Sequence, residues 1–131
     1  MTERLRAATQ GDLDAMLGIK HALRVQREDP GAGGFLLGAS EPEYAAMIEF
    51  GVVEILEHAG EPVGFAIAAR DAAVRASDLW RRRLQVRWRG LDPASVEHER
   101  VAYFDQLAVR PGVRMRAGAA ALALRVVLRL L

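Results

Sequence analysis

Apolar positions change their spacing several times along the chain, and each change marks an element. Leu5 to Ala8 is a short strand candidate, and Thr9 follows it as a helix N-cap. Asp12, three residues on, is placed to reach back to the backbone N–H of the cap, a variant of the capping box. Leu13, Met16, Leu17, Lys20 and Leu23 recur at helical spacing, which predicts an amphipathic helix from Gln10 to about Gln26. Glu28-Asp29-Pro30-Gly31-Ala32-Gly33-Gly34 stops it, because proline and closely spaced glycines favour turns. The glycine cluster lacks the Lys-Ser/Thr of a P-loop and does not lead from a strand into a helix, so it reads as a loop. Phe35-Leu36-Leu37 is a brief apolar segment.

Ser40-Glu41-Pro42-Glu43 is a stronger helix start, with a capping serine, proline in the first turn and Glu43 completing the box. Tyr44, Met47 and Ile48 form the inward stripe of a helix that ends near Gly51. The period then changes. Val52 to His58 and Pro62 to Ala69 flank Ala59-Gly60-Glu61, which predicts a β-hairpin, its second arm apolar enough to be covered on both faces. Asp71 to Glu99 is rich in arginine and reads as an elaborated connection between strands, with a short helix over Leu79 to Val86 ended by Gly90-Leu91-Asp92-Pro93. Val101 to Val109 is a strand closed by Arg110-Pro111-Gly112, and Gly118 to Leu131 has helix-forming composition throughout. No repeat and no long linker divides residues 1–131, so one domain is expected.

Composition narrows the chemistry. The 131 residues carry 18 basic and 17 acidic side chains, a net charge of +1, which argues against nucleic-acid binding by bulk charge. Lys20 is the single lysine, and nothing around it suggests a catalytic role. With no cysteine, disulfides, thiolate metal sites and a cysteine nucleophile are excluded. His21, His58 and His98 are scattered without ligand spacing, so no metal site is expected. Glu97-His98-Glu99 is a solvated loop by default, with a base near a cleft mouth as the alternative. No serine sits in a nucleophile elbow. Met1 to Arg6 lacks the apolar run of a secretory signal, and Arg125 and Arg129 interrupt the most apolar stretch, so a soluble, cytoplasmic protein with no membrane span is expected.

The informative piece is the strand–loop–helix unit at the carboxyl end. A strand ends in Leu107-Ala108-Val109-Arg110-Pro111, a short loop carries Gly112 and Arg114, Arg116 follows, and a helix opens at Ala117-Gly118-Ala119. The first amides of a helix have no internal partner and the helix dipole is positive there, so small residues and two arginines make a pyrophosphate cradle. An ordinary junction in which alanines pack the helix on the sheet is the other reading.

Asp105-Gln106-Leu107-Ala108-Val109-Arg110-Pro111 followed by Arg114-Met115-Arg116-Ala117-Gly118-Ala119 resembles the acetyl-CoA motif of the GNAT N-acetyltransferases. The order of elements before it and the Arg6-Ala7-Ala8-Thr9 to Asp12-Leu13 opening are similar too, so the resemblance covers essentially the whole chain. It implies an acyl-CoA N-acyltransferase-like α/β fold, a mixed, mostly antiparallel sheet flanked by helices. It also implies acetyl transfer from acetyl-CoA to a primary amine of a small molecule or peptide, by direct attack. Leu107 and Val109 would hold the pantetheine arm through their backbone, while Arg114, Arg116, Ala117, Gly118 and Ala119 would surround the pyrophosphate.

Even spacing along the strand places Asp105 and Tyr103 on the face of Leu107 and Val109. Asp105 is then a candidate base, or else an exposed strand residue paired with an arginine. Tyr103 is an acceptor-pocket residue or core packing. Ala117 stands where the motif has its first glycine. Family members continue past the motif helix with further strands and a helix, often including a tyrosine that protonates the leaving thiolate. The chain is therefore expected to be the amino-terminal part of such a domain, leaving an edge that favours a homodimer, aggregation or a separately supplied segment, and little activity alone. A rival reading takes the Arg/Trp segment 80–89 as a module for nucleic acid or an acidic partner, or a catalytically silent fragment. The plainer reading of that segment is an amphipathic helix with its tryptophans inward.

Overall fold

The computed structural model describes residues 3–23, 40–85, 87–111 and 116–131. Strands β1 (Glu3–Ala7), β2 (Val52–His58), β3 (Glu61–Ala69) and β4 (Tyr103–Val109) form one sheet in that order, each neighbouring pair antiparallel. The expected α/β architecture holds, with a wholly antiparallel sheet among the described residues. Helices α1 (Leu13–Ala22) and α2 (Glu41–Phe50) cover one face, and α5 (Arg116–Leu130) covers the other. Between β3 and β4 stand two short helices, α3 (Asp71–Arg75) and α4 (Asp78–Arg81), with 3-10 turns at Arg83–Gln85 and Pro93–Val96.

Local signals explain most boundaries. A 3-10 turn at Gln10–Asp12 opens α1, and the Asp12 carboxylate accepts the Thr9 backbone N–H at 2.8 Å. The same carboxylate takes both terminal nitrogens of Arg6 at 2.8 Å, while the Arg6 Nε donates to Glu57. One guanidinium thus ties β1, the helix start and β2 together. Arg6 holds the Asp12 carboxyl below the usual carboxylate range, with the Thr9 N–H adding to the effect against the cost of burial. At α2 the Ser40–Glu43 capping box forms in both directions, as its sequence predicts. The hairpin turns on two residues, Ala59 and Gly60, at φ 51° and 82°, and His58 pairs with Glu61 across it.

Several expectations move by a few residues. The first strand is Glu3–Ala7 instead of Leu5–Ala8, because β2 offers it a full ladder from Glu3↔His58 to Ala7↔Glu54. The last strand starts at Tyr103, since the Val101 N–H turns away to the Asp71 carboxylate at 2.8 Å. The helix expected over Leu79 to Val86 is replaced by α4 and a 3-10 turn. Residues 24–39, which include the end of the first predicted helix, the glycine cluster and Phe35-Leu36-Leu37, lie outside the described residues.

The two sheet faces have separate cores. Met16, Ile19, Tyr44, Ile55, Phe65 and Ile67 are buried beneath α1 and α2, each large side chain contributing about 1.5–3 kcal/mol. On the opposite face Val52, Leu56, Ala66, Ala68, Leu122 and Val126 pack α5 on the sheet. Gly64 permits this approach: a Cβ there would lie 2.9 Å from the Ala108 carbonyl oxygen and 3.3 Å from Leu122 Cδ1. Glu54 is the anomaly of this face, fully buried between β2 and α5. Arg129 Nη1 donates to its Oε1 at 2.5 Å and Arg125 Nε lies 3.9 Å away, while Oε2 is buried without a hydrogen-bond partner.

Candidate active site

The geometry of β4 turns on one residue. Gln106 stands opposite Ile67, but Phe104 stands opposite Ala68, so Asp105 has no counterpart on β3. This is a β-bulge, and it breaks the alternation of the strand. Directly opposed residues in an antiparallel pair share a face. Leu107 and Val109 oppose Ala66 and Gly64 on the α5 side, whereas Tyr103 opposes Ala69, next in alternation to Ala68 and therefore on the α1–α2 side. The expected common face of Tyr103, Asp105, Leu107 and Val109 is therefore corrected. Phe104, not Tyr103, joins Leu107.

Asp105 instead belongs with Tyr44 and Gln106. The Tyr44 hydroxyl donates to Gln106 Oε1 at 2.8 Å, linking α2 to the strand at the bulge. Tyr44 is completely buried, with its ring edge-on to Phe65 at 5.8 Å. Burial, and then the negative charge of Asp105, push the Tyr44 phenol up to about 12, against the pull of its hydrogen bond to Gln106. Partial desolvation by the neighbouring chain likewise raises the carboxyl of Asp105, a residue otherwise exposed, above the ordinary carboxylate range. A carboxylate that holds its proton more tightly than a free one is a better proton acceptor, and this one sits at an irregularity held by a buried hydrogen bond. Sequence reasoning passed over Tyr44 and Gln106 as site residues. The signal was the adjacent polar pair Asp105-Gln106 in an otherwise apolar strand, a break in alternation that itself indicates a bulge.

Beyond the bulge, Leu107 is exposed and Val109 half-buried, and β4 forms the border of the described sheet. The Arg110 N–H returns to the Val63 carbonyl at 2.7 Å. Helix α5 then begins at Arg116, two residues earlier than its composition suggested, with Ala117 exposed, Gly118 buried and Ala119 half-buried. The Ala117 methyl is thus on the open side of the first turn. Arg114 lies outside the described residues. Tyr103 points into a cleft built by the β3–β4 connection. There Trp80 lies beneath the guanidinium groups of Arg75 and Arg83, centred 4.6 and 4.4 Å from its ring. Arg83 also pairs with Glu97, so this glutamate braces the connection. Both arginines are engaged with Trp80 and with acids of the chain itself, which leaves them less available to the phosphates of a nucleic acid. Among the described residues no helix is long and apolar enough to cross a membrane.

No family model and no curated protein matches the sequence. Solved structures do match the fold. N-acetylglutamate synthase from Neisseria gonorrhoeae, complexed with coenzyme A and N-acetyl-glutamate, aligns over 99% of this chain at 18% identity and TM-score 0.59. The aminoglycoside N-acetyltransferase AAC(6')-Iy in complex with CoA aligns over 98% at 17% identity and TM-score 0.59. GphF, a GNAT-like decarboxylase in complex with isobutyryl-CoA, aligns over 95% at 22% identity and TM-score 0.56. The chain spans 23%, 68% and 57% of those three proteins. The fold is that of the GNAT N-acetyltransferases, in agreement with the resemblance read from the acetyl-CoA motif.

Proposed function

We propose that the chain is the acyl-CoA-binding part of an N-acyltransferase that passes an acetyl group from acetyl-CoA to a primary amine. The observation that carries this reading is the bulge at Asp105 on the border strand of a fold shared with solved proteins complexed with CoA or an acyl-CoA, and desolvation raising that carboxyl supports it. In this reading Leu107 and Val109 hold the pantetheine arm by their backbone, and the first turn of α5, from Arg116 through Ala119, receives the pyrophosphate together with Arg114. Free N–H groups and the positive end of a helix suit that anion. Asp105 takes a proton from the substrate ammonium, directly or through water. The neutral amine attacks the thioester carbonyl, the C–S bond breaks and the thiolate leaves.

A thermal-shift titration with acetyl-CoA and a thiol-release assay over a panel of primary amines test the proposal. Saturation at one hundred times the dissociation constant raises stability by about 2.7 kcal/mol. A melting temperature unmoved by millimolar acetyl-CoA, with no thiol released, refutes it.

A further inference from the structure

The connection between β3 and β4 builds a cleft of about 180 Å³ that the proposed reaction leaves without a role. Its walls are almost wholly apolar: Trp80, Trp88, Leu79, Val74, Val96 and Tyr103, with Ala102 and Leu91 beside them. The size is informative, since an apolar cavity of about 150 Å³ accepts one benzene ring. The aromatic walls are fixed in place. Trp88 Nε1 donates to the Arg83 carbonyl at 2.6 Å, and Arg83 is itself bonded to the Trp80 carbonyl at 2.9 Å and paired with Glu97. Arg75 is occupied by Asp71 at 3.0 Å and by the Glu97 carbonyl at 2.9 Å. The nearby cations thus have their anions already, and a ligand carboxylate gains little there. An ammonium inside would meet the Arg83 guanidinium and no acid in the lining, so charge disfavours it. The nearest acid along the strand is Asp105, two residues or about 7 Å from Tyr103 and near enough to Tyr44, on the α1–α2 side that Tyr103 shares, for its charge to act there.

We propose that this cleft holds the apolar end of the acceptor, a primary amine carrying a single aromatic ring on a short linker, with the ring against Trp80, Trp88 and Tyr103 and the nitrogen at Asp105. The assignment of the nitrogen rests on the acyltransferase reading, whereas the ring site does not. The chain's two tryptophans both line the cleft, so intrinsic fluorescence reports its occupancy.

The 131-residue chain is titrated with phenethylamine and, separately, with 1,4-diaminobutane, with and without acetyl-CoA. The expected result is a saturable fluorescence change with phenethylamine alone. Ala102→Leu, which fills the cleft, and Leu91→Arg, which charges its exposed rim, should each weaken it at least tenfold, with folding checked by circular dichroism. No saturable response to phenethylamine, or unchanged affinity in whichever variant folds, overturns the ring site. A response to diaminobutane as strong as that to phenethylamine also overturns it. Saturable binding of phenethylamine with a melting temperature unmoved by millimolar acetyl-CoA and no thiol released keeps the ring site and removes the acyltransferase reading. Thiol release with diaminobutane and no fluorescence response to phenethylamine does the reverse.

Discussion

Arg129→Ala isolates the role of the buried carboxylate on β2. Glu54 has no solvent-exposed side-chain surface, and Arg129, itself 34% exposed, supplies its hydrogen bond at 2.5 Å. Arg125 is 3.9 Å away and 53% exposed, too distant to replace that bond without moving. Removing one member of a buried ion pair costs about 3–5 kcal/mol, because the remaining charge stays desolvated. The partial exposure of Arg129 and the reserve offered by Arg125 place this variant at the lower end, about 3 kcal/mol. For a domain of this size 1 kcal/mol corresponds to about 4 °C, so the melting temperature should fall by about 12 °C. Urea unfolding followed by circular dichroism measures the free energy directly. The decisive control is Glu54→Leu in the Arg129→Ala background, which removes the stranded charge and should recover most of the loss. A fall of less than about 3 °C, or a double variant no more stable than the single one, refutes the reasoning.

Asp105→Asn should lower acyl transfer at least 100-fold, and a variant as active as the parent would remove Asp105 as the base. Because burial raises the folded-state pKa of Asp105, its ionisation costs stability as pH rises from the unfolded value through the folded one. Asp105→Asn should therefore melt slightly higher at pH 7, with the difference fading toward pH values below about 4. Asp12 has the opposite sign: its lowered pKa contributes stability above the unfolded value that is lost as pH falls through the folded one. Asp12→Asn should cost about 2 kcal/mol at neutral pH, a deficit that shrinks in acid when both proteins are unfolded in urea across a pH series. Gly64→Ala should cost about 1–3 kcal/mol, since its methyl would press on the Ala108 carbonyl at 2.9 Å; an unchanged urea midpoint would show that β3 and β4 have room to separate.

Elements governed by local chemistry were readable in advance. The Ser40–Glu43 box, the Ala59-Gly60 turn and the helical spacing of Leu13, Met16 and Leu17 each act over a few residues, and the structure reproduces them. The strand and the helix start that flank residues 112–115 were legible because an apolar strand pattern and a run of small residues stand on either side of them in sequence. What escaped depended on partners far away. Glu54 sits among Val52, Val53, Ile55 and Leu56, and the arginines of α5, Arg129 bonded to it from 75 residues later and Arg125 close by, explain why a carboxylate is tolerated inside. The face of Tyr103 was misassigned because strict alternation was carried through the bulge, and the extra residue shows only when β3 is laid beside β4. The cleft over Tyr103 is assembled from α3, α4 and the turns after them, none of which has a strong pattern of its own.

The unmatched residue in β4 makes the strand behave like a text with a shifted reading frame. Upstream of Asp105, odd and even positions carry the opposite meaning from those downstream. Deleting Asp105 would restore a single frame, swapping Tyr103 and Phe104 between the two faces and taking the Tyr103 side chain out of the cleft it lines. An exchange of Tyr103 for another aromatic leaves the frame intact. The face of β4 that bears Tyr103 is thus open to change by substitution in the connection before the strand, but closed to change by odd-numbered insertion or deletion within the strand itself.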